Sequence, residues 1–180
     1  ALRTAIWRAY CGVASSVNTK QMVRTAGPPA VMYGCEVMGV SDSALLQARR
    51  SIASAAAPSA GGKNLDRTFY AMDGISGTLD PAFDAHVLPV KFWSLAVWET
   101  WIDASKMTAT IANVRDKLSR AKCAWSVTTG PIAALRNSLQ RVGWTLESHA
   151  ILRDDRMRKF DLRLDPPTVV CHAVEASVRR

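Results

Sequence analysis

No run of about 18 apolar residues occurs in this sequence, so no transmembrane helix is expected. The N-terminus lacks a signal-peptide pattern, because Arg3 and Arg8 break its apolar character. No G-x-x-x-x-G-K-[ST], G-x-G-x-x-G or H-E-x-x-H motif is present, which removes the common phosphate-loop, dinucleotide and zinc-protease readings. Gly61-Gly62-Lys63 lacks the upstream glycine and following hydroxyl of a phosphate loop and reads as linker. The four cysteines, Cys11, Cys35, Cys123 and Cys171, form no C-x-x-C pair. They argue against a disulfide framework or zinc knuckle and read as small buried residues in a reducing compartment. Histidine is scarce: His86 and His149 are isolated, and His172 beside Cys171 would point to a different helix face. No nucleophile pair is expected from them.

Acidic residues are also short in one place. Between Lys106 and Arg141 stand Lys106, Arg115, Lys117, Arg120, Lys122, Arg136 and Arg141, against Asp116 alone. This segment carries most of the net charge of +8. Such an excess points to a polyanionic partner. A solvated helix face is the plainer alternative, but phosphate contact needs positive charge and little geometry. We therefore take Arg115, Lys117, Arg120, Lys122, Arg136 and Arg141 as candidate nucleic-acid contacts.

What is present is an ordinary globular composition, 48% hydrophobic and 21% charged, so global disorder is not expected. At 180 residues it suffices for one full core, or for a domain plus a subdomain. The chain lacks an initiator Met and ends on Arg179-Arg180 within an expected helix, and so reads as a piece of a longer polypeptide.

Hydrophobic spacing gives a mostly helical order. Residues 1–14 read as a helix, and Asn18 can cap a second that Gly27 stops, since Pro28 and Pro29 cannot continue it. The apolar run 31–40 reads as a buried helix, with Gly34 and Gly39 admitting another backbone and Tyr33 placed for packing. A helix over 41–57 puts Leu45 and Ile52 inward and Arg49 and Arg50 toward the polar side. A flexible connection follows at 59–63, then a short helix and a loop within 65–78. Asp80-Pro81 starts another helix, which Pro89 should kink or split.

Residues 90–102 are apolar all round, as in a buried or partner-docking helix, and Trp93, Trp98 and Trp101 read as core rather than base-stacking platforms. Over 105–125, Ile111, Val114, Leu118, Ala121 and Trp125 make an amphipathic stripe. Gly130-Pro131 opens a helix lined by Ile132, Leu135, Leu139 and Val142, which Gly143 stops. Alternation from Trp144, and again at Phe160 and Leu162, signals a β-hairpin turning at Asp154-Asp155-Arg156. Asp165-Pro166-Pro167 begins a last helix. Adjacent aspartates on a hairpin can hold two Mg²⁺ ions in a polymerase. Here Arg153, Arg156, Arg158 and Lys159 crowd them, and Asp is a favoured turn residue, so a turn is the better reading.

Tyr33-Gly34-Cys35-Glu36-Val37-Met38-Gly39, after Gly-Pro-Pro-Ala and before Leu-Leu-x-x-Arg-Arg, resembles the Tyr-Gly-x-Glu segment of non-LTR retrotransposon reverse transcriptases. Asp80-Pro81-Ala82-Phe83, the Trp93–Trp98 row, Gly130-Pro131, Gly143-Trp144 and Asp165-Pro166-Pro167 are similar to later pieces of such polyproteins. The resemblance implies a position just C-terminal to the catalytic palm, in the helical thumb and connector. It implies a mainly α, thumb/connector-like bundle with one small C-terminal β-hairpin, in three parts: thumb-like helices over 1–58, a linker with Trp-rich and basic helices over 59–129, and a helix–hairpin–helix subdomain over 130–180. It further implies contact with an RNA or DNA template–primer and with an upstream palm of the same polypeptide, within the nucleus or cytoplasm and away from membranes. The fragment itself is expected to hold no cofactor and no catalytic residue, Mg²⁺ belonging to the palm. The alternative is a structural or protein-interaction helical domain.

Overall fold

The computed structural model describes residues 19–57, 62, 64–74 and 76–180. The helix expected over 1–14, the Asn18 cap and all of the 59–63 connection but Gly62 lie outside the described residues. Among the described residues the protein is mainly α-helical, with a small antiparallel sheet near the C-terminal end. The order is α1 (Thr19–Met32), α2 (Cys35–Met38), α3 (Asp42–Ala56), α4 (Leu65–Asp73), α5 (Pro81–Trp98), α6 (Ala104–Ser119), a 3₁₀ turn (Ala124–Val127), α7 (Pro131–Arg141), β1 (Thr145–Ser148), β2 (Ile151–Arg153), β3 (Lys159–Asp161) and α8 (Pro167–Val178). Contacts divide the chain into two units. The first takes the described residues up to Tyr33 together with Asp42–Asp84; the second takes Gly34–Ser41 and Ala85–Arg180.

In the first unit, Gly27 does not stop the helix. α1 runs through Gly27, Pro28 and Pro29 to Met32. Val23, Gly27 and Val31 form one stripe at four-residue spacing; the first two are buried and Val31 packs against the core of Val23, Ile52, Ala53, Phe69 and Leu79. Burying that stripe outweighs the two ladder hydrogen bonds that the prolines withhold near the helix end. Tyr33, expected to pack, is exposed. α4 is capped by Asn64, whose side chain accepts from the Arg67 N–H at 3.0 Å. Arg49 does not lie free on the polar side. Its guanidinium grips both Asp80 oxygens, Nε–Oδ1 at 2.9 Å and Nη2–Oδ2 at 2.7 Å, and also reaches Asp66. Asp80 meanwhile caps α5 through the Ala82 N–H at 2.9 Å.

In the second unit, the run expected as one buried helix is broken at Gly34, which takes φ 81° and begins the single turn of α2. A Cβ on Gly34 would meet nothing within 4 Å, so backbone conformation, not close approach, calls for glycine there. Gly39 does answer to close approach: its Cβ would stand 2.8 Å from the Trp125 ring and 3.1 Å from the Ala134 Cβ. Pro89 lies inside α5 and does not split it. Val90, Trp93, Ala96 and Val97 of α5 join Met107 and Ile111 of α6, and Ile132, Leu135 and Leu139 of α7, in the main core. Trp93 is 1% exposed and donates its indole N–H to the His149 carbonyl at 2.9 Å.

α5 ends sooner than its apolar sequence suggests. The Trp101 N–H returns to the Ala96 carbonyl at 3.0 Å and the Thr100 N–H to Val97 at 3.2 Å, a Schellman stop with Thr100 at φ 51° where glycine is usual. The helix therefore turns before its second tryptophan row is covered. Trp98 and Trp101 are 41% and 54% exposed, and only Trp93 fits the expectation of three core tryptophans.

α6 begins on Asp103, which accepts from the Ser105 and Lys106 N–H groups. It stops at Ser119 instead of reaching Trp125, which sits in the 3₁₀ turn. The β part has one strand more than a hairpin, a meander ordered β1-β2-β3. The alternating run after Trp144 folds back at 149–150, pairing Leu146 with Leu152, and Leu152 pairs in turn with Phe160. Leu152, Leu162, Val170 and Val174 are fully buried beneath this sheet and α8. Trp144 stacks on Phe160 with ring centroids 5.3 Å apart.

Candidate functional site

The site is built on α6 and α7, both within the second unit. Met107 and Ile111 are buried and Val114 packs against the same core, which turns the flanks of α6 outward. Lys106, Arg115, Lys117, Arg120 and Lys122 are all exposed. α7 is the more constrained helix: from Ile132 to Leu139 every residue but Arg136 is buried. The segment joining the two helices is pinned by side chains. Asn137 donates to Thr128 Oγ1 at 2.7 Å, that hydroxyl donates to the Ala124 carbonyl at 2.8 Å, and Lys117 Nζ donates to Thr129 Oγ1 at 3.3 Å.

The six candidate residues fall into different situations. Arg120 pairs with Asp116 at 2.8 Å, an exposed contact of small energetic weight. Arg141 is tied down: Nη2 donates to the Val40 carbonyl and the guanidinium lies 4.2 Å over the Trp125 ring. Lys117 has only its hydroxyl partner. Among the described residues, Arg115, Lys122 and Arg136 have no ion pair and no protein hydrogen-bond acceptor for their side chains.

Arg136 is the unusual member. Its Nη1 is buried without a hydrogen-bond partner. Burial, and then the like charge of Arg115, hold its guanidinium below the ordinary arginine value. Sequence spacing put Arg115 and Arg136 in one basic segment. Their mutual approach follows only from the packing of α6 on α7. The signal for Arg136 is a lone charge within Ile-Ala-Ala-Leu-Arg-Asn-Ser-Leu.

The hairpin aspartates do turn chemistry. Asp154 is buried and accepts from the N–H groups of Arg156 at 2.9 Å and Arg158 at 2.7 Å, and from Arg158 Nε at 2.7 Å. Burial pushes its carboxyl up, but these bonds outweigh that and hold it below the usual range. Asp155 pairs with Arg180, which with Ser177 lowers it to about 2. Both carboxylates are thus committed to arginine, and the pair does not fit a two-Mg²⁺ site. Among the described residues no group of three or more His, Cys, Asp or Glu is placed to hold a metal ion. Burial pushes the Cys171 thiol up to about 11, so it is no nucleophile beside His172. Cys35 and Cys171 are buried as expected, whereas Cys123 is exposed. Among the described residues no helix is long and apolar enough to cross a membrane.

No protein-family model, no curated protein and no solved structure matches this chain.

Proposed function

We propose that this chain is a non-catalytic thumb/connector fragment of a retroelement reverse transcriptase, which contacts the backbone of an RNA/DNA template–primer through the α6–α7 face. The observation that carries the reading is the unpaired positive charge of that face: Arg115, Lys117, Lys122 and Arg136 have no carboxylate partner among the described residues. Phosphate recognition asks for such charge held on a rigid support and for little else. The Tyr33–Gly39 resemblance supplies the family. Polymerisation and its Mg²⁺ belong, on this reading, to a palm elsewhere in the polypeptide, and the working compartment is the nucleus or cytoplasm.

Electrophoretic binding to an RNA–DNA duplex at low and moderate salt tests the proposal. Salt-sensitive binding that falls at least tenfold in Lys117→Glu with Arg120→Glu is the expected result. Binding that is absent, or indifferent to both salt and charge reversal, sinks it.

One observation favours a second reading, a structural or protein-interaction domain. Trp98 at the end of α5, and Trp101 and Ile102 just after it, are exposed. Sedimentation of the full chain separates the two readings. A monomer at all concentrations that binds duplex supports the first; concentration-dependent association abolished by Trp98→Ser with Trp101→Ser supports the second.

A further inference from the structure

The main core takes α6 as far as Val114 and resumes on α7 at Ile132. The connection between the two helices, which carries Arg120 and Lys122, is therefore held by something other than that core. Part of its hold is local: the Cys123 carbonyl accepts from the Ser126 N–H at 3.2 Å and from Ser126 Oγ at 2.7 Å. Trp125, inside this 3₁₀ turn, is gripped from elsewhere in the second unit. The Arg141 guanidinium lies 4.2 Å from the centroid of its ring and donates through Nη2 to the Val40 carbonyl. Gly39, the neighbour of Val40, comes so close that a Cβ there would stand 2.8 Å from the same ring. The grip reaches two lysines along the chain. Lys122 precedes Trp125 by three residues, and Thr129, four residues after it, accepts from Lys117 Nζ at 3.3 Å. Asn137, donating to Thr128 Oγ1 at 2.7 Å, is a second anchor of the same connection.

We infer that Gly39, Val40 and Arg141 form a lock on Trp125 that positions the 120–129 connection, and with it Lys117 and Lys122, for contact with phosphate. Arg141 is then a positioning residue that acts through Trp125, and not itself a phosphate contact. This rests on the reading above, under which the basic face meets a nucleic-acid backbone. Lysines on a connection that is already held lose less freedom on binding than lysines on a loose one. Glycine at 39 belongs to the same device: at φ 66° and against the Trp125 ring, a side chain has neither the conformation nor the room. The lock thus makes a residue without charge, about a hundred positions away from Arg141, part of a charged surface.

Comparing an uncharged with a charged member of the lock separates position from charge. Binding of the full chain to an RNA–DNA duplex is measured by fluorescence anisotropy for Gly39→Ala, Arg141→Gln and Arg141→Lys, with melting as the folding control. Gly39→Ala alters no charge, yet it and Arg141→Gln are each expected to lose about threefold in affinity. Arg141→Lys keeps a cation for the ring and a donor for the Val40 carbonyl, and should recover most of that loss. In a Lys117→Gln, Lys122→Gln background, Arg141→Gln should cost little more, because it acts through the connection that places those lysines. A direct contact predicts the opposite: Gly39→Ala binds as the wild type does, and the loss at Arg141 persists in full without the two lysines. Either of those results overturns the lock and leaves the nucleic-acid reading standing. A second arm needs no ligand and follows the backbone amides of ¹⁵N-labelled protein by NMR. Gly39→Ala and Arg141→Gln should both shift the amides of 120–129 and leave those of the β-sheet in place. A wild type that binds no duplex sinks the nucleic-acid reading; shared shifts then still support the lock on the connection, and their absence overturns it.

Discussion

Two stretches of the second unit carry the same number of basic residues and use them in opposite ways. From 144 to 180 there are seven, faced by six acids; from 106 to 141 there are also seven, faced by one. In the sheet and α8, Arg153 and Lys159 share Glu147, Arg158 takes Asp154, Arg163 takes Asp161, Arg179 takes Glu175 and Arg180 takes Asp155. Arg153 and Lys159 are direct cross-strand partners, a like-charge pair made tolerable by the Glu147 carboxylate between them. In α6 Arg120 pairs with Asp116, while Arg115, Lys117 and Lys122 have no carboxylate partner among the described residues. The first stretch spends its arginines on fixing strands and a helix end. The second leaves Arg115, Lys117 and Lys122 exposed on a rigid core. A count of basic residues would rank the two regions equally; the pairing separates them.

The largest effect that sharpens this contrast should come from Asp154→Ala. Removing the buried carboxylate leaves the Arg156 and Arg158 N–H groups and the Arg158 guanidinium without their acceptor. We expect a loss of about 3 kcal/mol in urea unfolding, with duplex binding unchanged under native conditions. A loss of binding in the folded variant would break the division of labour.

Next in size is a pH effect. The Asp155 carboxyl is depressed to about 2 in the folded protein, below its ordinary value. The stability it contributes is present above the unfolded value near 4 and is lost as pH falls through 2. Asp155→Asn should flatten the acid-side fall in Tm between pH 4 and pH 2. At neutral pH it should cost only about 1 kcal/mol, since the pair is partly screened by solvent. An unchanged acid profile contradicts the pairing.

Smaller, and opposite in sign, is Arg136→Met. It removes a buried orphan donor and a charge that Arg115 repels, so stability should rise by about 0.5 kcal/mol while duplex affinity falls. The same kind of change at Arg158 should lower stability. The smallest effect belongs to Asp116→Asn. Its exposed pair is worth less than about 0.5 kcal/mol, but removing the one acid of the basic face should strengthen duplex binding measurably.

Much of the fold was legible because it rests on local rules. Asp80-Pro81, Gly130-Pro131 and Asp165-Pro166-Pro167 mark helix starts, and Gly143 at φ 72° marks a stop. The features that were not legible depend on tertiary contacts. No breaker residue announces the fold-back at 149–150. There the His149 carbonyl is held by Trp93, and the Ala150 carbonyl accepts from the Leu162 N–H at 2.8 Å. The prolines of α1 are overridden by the buried stripe on which they lie. The end of α5 is set by Thr100 in a left-handed conformation that threonine seldom takes, so nothing in the sequence warned that Trp98 and Trp101 would be exposed. For the site, the shortage of acids between 106 and 141 was plain. The separation of its residues into a tied Arg141, a paired Arg120 and an Arg115 and Arg136 without ion pairs among the described residues required the packing of α6, the 3₁₀ turn and α7.

The central claim is that basic residues matter here by pairing state, not by number. The direct measurement neutralises three from each region, Arg115, Lys117 and Lys122→Gln against Lys159, Arg163 and Arg179→Gln. RNA–DNA duplex binding is then followed from 50 to 200 mM salt. The first triple variant should reduce the slope of log affinity against log salt by about 2 to 3, and the second should leave it within about 0.5 of the wild type. Equal reductions in the two variants would contradict the account.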